Sequence, residues 1–264
     1  MSLAMAYLRR DFLIWSSYRL SFFWQVASIF LVIGMIYFAG NAIGDRSDLI
    51  EEEDGSYVAF ILVGLAFMDV LLQGLGTLPG AINDNQRAGT LEPMLLTPIT
   101  DFTLLMSFWV FRFLLALGRM SIFIAFGIVV LGFWRNLDPL SVLSVMILAE
   151  VTFFAMGALS AAFVILVKQG DPIRLAYTAA TTLLGGAFFP VDALPSWIQP
   201  ISLLLPLTYA LSGIRAGLDG DPVSAIAPEL GILAVMGAIM LPASLWAFSY
   251  SLRRAKREGA LGEY

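Results

Sequence analysis

Three ionisable side chains, Asp69, Arg119 and Glu150, stand inside long apolar runs of this sequence. An unpaired charge in such a run is costly, so each must pair, face water or serve a function. Ion-pair or ion-carrying chemistry is what these residues offer. Other chemistry is excluded by inventory. The chain has no Cys and no His, which removes disulfides, thiol nucleophiles, His-ligated metals and Ser–His catalysis. It also lacks a G-x-x-x-x-G-K-[ST] phosphate loop, so any ATP turnover must occur on another chain. Neither a catalytic residue nor a metal site is expected here.

The elements that hold these charges are set by composition. Of 264 residues, 59% are hydrophobic and 13% charged, with mean hydropathy +0.85. That is far from the surface of a soluble domain and implies an all-α integral membrane protein, one domain over residues 1–264. Apolar runs near 21–40, 57–80, 113–133, 141–167, 173–189 and 229–250 predict six transmembrane helices. The loop before the second run carries Asp45, Asp48, Glu51, Glu52, Glu53 and Asp54 against Arg46 alone. Basic residues gather elsewhere: Arg9, Arg10 and Arg19, then Arg87, then Lys168 and Arg174, then Arg253, Arg254, Lys256 and Arg257. The positive-inside rule therefore puts both termini in the cytoplasm. A net charge of −5 suits no nucleic-acid partner, although in a membrane protein the distribution of charge matters more than its sum.

Depth tests whether the internal charges can meet. At about 1.5 Å per helical residue, Asp69 lies about 18 Å below the outer start of the second run, and Arg119 about 21 Å below the outer end of the third. An Asp69–Arg119 pair is expected, structural rather than part of a pathway. Glu150 has no evident partner and is expected nearer the outer face, against a water-filled cavity. Arg112 is assigned to the cytoplasmic end of the third run, where a long side chain can snorkel.

Residues 1–20 precede the first run. Met5, Leu8, Phe12 and Trp15 fall at helical spacing, with Arg9 and Arg10 off that stripe, as in an amphipathic helix lying on the membrane. Arg9–Ile14 also reads like a twin-arginine export signal, but no clear A-x-A cleavage site follows.

Between the second and third runs lies a cytoplasmic insert, residues 83–100. Gly89 permits a turn, Thr90 can cap, Pro93 suits a first helical turn, and Leu91, Met94 and Leu95 make a small apolar face before Pro98 stops the helix. Thr100 or Asp101 can cap the next helix. A mere connector needs no apolar face, so a protein partner is the alternative to a plain loop. "GTLEPMLLTPI" resembles the first cytoplasmic loop of ABC transporter permeases of the type-2 exporter family, through Gly89, Thr90, Leu91, Glu92, Leu95, Leu96, Thr97, Pro98 and Ile99. The resemblance implies a coupling helix, with Met94 on its face, that docks on a cytoplasmic ATPase subunit.

A second anomaly is residues 190–217, where Pro190, Pro195, Pro200 and Pro206 interrupt an apolar run. Proline at that density excludes a straight span, and Trp197, Ile201, Leu204 and Tyr209 are too apolar for a free loop. Short broken helices that re-enter the outer leaflet fit both facts; a kinked seventh span would put the basic C-terminus outside. Phe188, Phe189, Pro190, Leu194, Pro195, Trp197, Ile201, Pro206, Thr208, Tyr209 and Arg215 resemble the outer hairpin of the same family.

The resemblance implies a transmembrane permease subunit in the prokaryotic cytoplasmic (inner) membrane, paired with a second, identical or related, permease copy. ATP and Mg would be bound by the partner ATPase, and no cofactor by this chain. Abundant Phe, Met and Leu suit a hydrophobic or amphipathic cargo, drug or lipid-like. A polysaccharide exporter permease, an ion-coupled carrier using Asp69 and Glu150, and a membrane scaffold are the alternatives.

Overall fold

A computed structural model describes residues 57–87, 89, 100–132, 136–167 and 171–257, with isolated positions 13, 31 and 34. Its long helices are α1 (Tyr57–Arg87), α2 (Asp101–Phe126), α3 (Pro139–Val167) and α6 (Ala227–Arg257). Shorter helices, α4 (Pro172–Leu184) and α5 (Pro206–Asp219), lie between α3 and α6. No strand occurs among the described residues.

Helix ends follow local chemistry. Thr100 caps α2, its hydroxyl accepting from the Thr103 amide at 3.2 Å. Asp138 caps α3 by accepting from the Ser141 amide at 3.1 Å, and Asp171 caps α4 by accepting from the Arg174 amide at 3.0 Å. Each satisfies an amide that the first helical turn leaves unpaired. Pro172 and Pro206 stand in the first turns of α4 and α5, where a missing N–H costs nothing. At its far end α2 passes into a π-helical turn, Gly127–Leu131, and stops at Gly132, with φ 76°.

Among the described residues, four segments are long and apolar enough to cross a membrane: Ala59–Asn85, Phe102–Val129, Pro139–Val167 and Ala227–Arg257. They cover the second, third, fourth and last of the six predicted spans; the first, 21–40, lies outside the described residues except for positions 31 and 34. The third begins about eleven residues earlier than the apolar run at 113–133 suggested, because Thr100 starts a helix that continues unbroken through Arg112. The fifth differs most. Its helix has 13 residues, about 20 Å against a hydrocarbon core of about 30 Å. It ends at Gly185, and Gly186 follows with φ 80°.

Lipid tails are as apolar as Leu, so these helices associate through close packing rather than by escaping water. α3 is the hub, packed along α1, α5 and α6. Gly157 of α3 meets α1 at Gly74, where a Cβ on Gly157 would lie 2.5 Å from the Gly74 carbonyl oxygen. One core joins Phe67, Leu71 and Leu75 of α1 with Phe153 of α3 and Leu207, Leu211 and Ile214 of α5. Another joins Leu78 and Ile82 with Leu104, Phe108, Phe154, Ala161 and Phe248.

These contacts give the bundle two ends. The start of α1, the end of α2, the starts of α3 and α6, and all of α5 gather at one, which the hairpin closes. The end of α1 and the starts of α2 and α4 gather at the other.

Candidate functional site

Asp69 of α1 and Arg119 of α2 meet inside the bundle. Arg119 Nη2 donates to Asp69 Oδ1 at 2.8 Å and Nε lies 2.8 Å from Oδ2, an ion pair held by one guanidinium hydrogen bond. Gln73, one turn along α1, donates to Asp69 Oδ2 at 2.9 Å. The two side chains are 20% and 28% exposed, so the pair lies in a half-open face rather than in the sealed core.

Glu150 lies elsewhere. It is 2% exposed and stands about 17 Å along α3, near mid-helix rather than near an end. Its Oε2 faces α1 at Gly74. Trp109 lies close by, stacked on Phe113 and tilted against Phe154, with ring centroids 4.9 Å away in each case. The expected water-filled cavity beside Glu150 is thus replaced by packed helices, because Gly74 and Gly157 let α1 and α3 close over it. Asp69 and Glu150 do not share a site.

Arg112 also departs from expectation. It is exposed, yet Phe102, Leu104, Leu105, Phe108 and Phe111 continue the apolar helix beyond it. It therefore stands within the Phe102–Val129 segment, not at its end.

Of the insert, Gly89 is an exposed turn residue with φ 65°, a conformation that favours glycine. α1 runs through residues 83–87 to meet it, and Thr100 restarts the chain as the cap of α2. Thr90, Leu91, Glu92, Met94, Leu95, Leu96, Thr97 and Pro98 lie outside the described residues, as do Arg9, Arg10, Phe12 and Trp15.

At the hairpin end, Pro190 precedes a 3-10 turn at Val191–Ala193, Pro195 opens a turn, and a single helical turn occupies Gln199–Ser202. Pro206 then begins α5. Tyr209 donates its hydroxyl to the Leu203 carbonyl at 2.9 Å, and Thr208 donates to Ser202 at 2.8 Å, tying α5 to the turn before it. Trp197 is 74% exposed. Sequence reasoning placed Arg215 only in a pattern. In the structure its guanidinium donates to the carbonyls of Gly186 at 3.0 Å and Phe60 at 3.3 Å and lies 3.6 Å over the Phe60 ring. The signal for that role was its place on the apolar α5, where an arginine must find carbonyls or a ring face.

A bundle of span-length apolar helices, with the Asp69–Arg119 pair inside it and an insert joining α1 to α2 at one end, is that of a multi-pass membrane protein. The chain belongs to the ABC-2 type transporter family, which residues 2–218 match. It is similar to the inner membrane transport permease YadH of Escherichia coli K12, 27% identical over 206 residues, covering 74% of this chain and 75% of that protein. Nodulation protein J of Rhizobium leguminosarum bv. viciae is 28% identical over 225 residues, covering 80% and 84%. The linearmycin resistance permease protein LnrN of Bacillus subtilis is 26% identical over 213 residues, covering 76% of this chain and 52% of that protein.

Proposed function

We propose that this chain is the membrane-spanning permease of an ATP-driven exporter of amphipathic molecules, docked on a separate cytoplasmic ATPase through residues 89–98. The observation that carries the reading is family membership over residues 2–218 together with the insert's position. It joins α1 to α2 at the end of the bundle opposite the hairpin, so a push on it acts on both helices at once. Leu91, Met94, Leu95 and Leu96 form the docking face, and the ATPase holds ATP and Mg. Both termini lie on that cytoplasmic side of the prokaryotic inner membrane. The hairpin re-enters the outer leaflet, the 1–20 segment lies along the inner surface, and two permease copies enclose the path.

The resistance permease among the relatives favours a drug or lipid-like cargo over a polysaccharide. An ion-coupled carrier is disfavoured by the two carboxylates it would need: Asp69 is held by Arg119, and Glu150 is sealed at 2% exposure.

The test is co-purification with the candidate ATPase in detergent, followed by ATP hydrolysis in lipid discs. Wild type forms a stable complex, and Leu95→Asp, which places a carboxylate on the docking face, loses assembly or hydrolysis. A complex indifferent to Leu95→Asp would remove the docking role from this segment.

A further inference from the structure

One face of α1 is unlike a lipid-facing surface. Asp69, Gln73, Gly76 and Gly80 follow at i, i+4, i+7 and i+11, a single helical stripe of polar residues and glycines inside a segment of spanning length. Two further helices send arginines toward it. Arg174 of α4 reaches it, its Nη1 3.4 Å from where a Cβ on Gly76 would stand. α2 runs antiparallel to α1, and Arg119 pairs with Asp69. Seven residues back along α2 is Arg112, on the same helical face as Arg119 and level with Gly76.

Helical side chains lean toward their own N-terminus, so Arg112 leans toward the level of Gly80, where a Cβ would meet nothing within 4 Å among the described residues. The charges do not cancel. Arg119 is matched by Asp69, and Arg174 has Asp171 at 3.4 Å while remaining 52% exposed. Arg112 is paired with no carboxylate among the described residues. An arginine left unmatched within a membrane span is costly and calls for a negative partner.

We propose that Arg112 and Arg174, over the open floor of Gly76 and Gly80, form an intramembrane subsite for the anionic headgroup of an amphiphilic cargo, of the phosphate type. Guanidinium groups suit phosphate oxygens through paired N–H donors, and the glycines leave room for the headgroup while its chain stays among apolar helix faces. The assignment of the bound molecule as cargo rests on the exporter reading; the binding itself does not.

The experiment titrates purified permease, in neutral detergent and without any ATPase, with dodecyl phosphate, dodecyltrimethylammonium and inorganic phosphate. Binding is followed by tryptophan fluorescence and thermal shift. Dodecyl phosphate is expected to bind saturably, and about tenfold more weakly in Arg112→Gln, with Arg112→Lys keeping part of the affinity. Arg253→Gln, an exposed arginine at the end of α6, is expected to bind as wild type. Gly80→Leu fills the floor without altering charge and is expected to weaken binding as well.

Equal affinity for the cationic amphiphile, or wild-type affinity in both Arg112→Gln and Gly80→Leu, would overturn the subsite. Inorganic phosphate binding as tightly as dodecyl phosphate would overturn the amphiphile. No response to either phosphate, with loss of a dimer in Arg112→Gln, would assign Arg112 to a second copy and overturn the proposal. Because no ATPase is present, these outcomes are separate from failure of the exporter reading, which shows as absence of a permease–ATPase complex.

Discussion

Replacing Gly157 by alanine adds one carbon at the close crossing of α1 and α3. That carbon would lie 2.5 Å from the Gly74 carbonyl oxygen and 3.6 Å from the Leu75 Cα. An ordinary carbon–oxygen contact is about 3.3 Å or more, so α1 and α3 must separate by roughly 0.8 Å. The obstacle is backbone, which cannot rotate away as a side chain can. Phe153, Leu71 and Leu75, all fully buried beside this crossing, then lose contact together. Overpacking of this kind costs about 1–3 kcal/mol, partly offset by the roughly 1 kcal/mol that alanine gains over glycine in a helix. The assay is thermal unfolding in detergent followed by size-exclusion of the soluble fraction, with Gly231→Ala as control. Gly231 lies in α6 with nothing among the described residues within 4 Å of its Cβ position, so alanine there should hold or raise the midpoint. A fall of roughly 5 °C in Gly157→Ala is expected. A midpoint equal to or above that of Gly231→Ala would refute the idea that close approach at Gly74 holds α1 against α3.

Further predictions rest on other contacts. Asp69→Asn and Arg119→Gln should each lower expression and stability, by less than the roughly 3–5 kcal/mol of a fully buried pair because both groups are partly exposed. The double swap Asp69→Arg with Arg119→Asp should recover folded protein on size-exclusion; full stability in both single variants would sink the pairing. Arg215→Ala removes two carbonyl contacts and a ring contact at the hairpin end, a loss on the order of 3 kcal/mol, and should increase proteolysis within residues 186–205. The Ser141 hydroxyl and amide hold the Asp138 carboxyl below its usual range. A depressed folded pKa stabilises above the unfolded value and is lost as pH falls through the folded one. The acid-induced fall in thermal midpoint below about pH 4 should therefore be shallower in Asp138→Asn than in wild type.

Much of this arrangement was legible in the sequence. Apolar runs located four of the long helices because spanning length is set by bilayer thickness, and equal depth brought Asp69 and Arg119 to the same level before any contact was known. Thr100 was readable as a cap, and the prolines of residues 190–206 as breaks between short helices. What escaped lies in tertiary contact. A hydropathy run cannot see that Thr100 starts α2 well before residue 113, so Arg112 was taken for an end residue. Nor can it see Gly74 against Gly157, which seals Glu150 away from water. The end of α4 at Gly185 was hidden because Gly185 and Gly186, near neutral in hydropathy, do not interrupt the apolar run, while the backbone turns there. Arg215 entered only as part of the hairpin pattern, and only the fold brings Phe60 and Gly186 to it.

The most direct test of the central claim is transport in proteoliposomes containing this permease and its ATPase, with a fluorescent amphiphile in the membrane and ATP and Mg supplied on the ATPase side. The account predicts amphiphile movement that requires ATP hydrolysis, disappears in Leu95→Asp and persists when ionophores collapse every ion gradient. Movement driven by an imposed proton or sodium gradient in vesicles lacking the ATPase would contradict it.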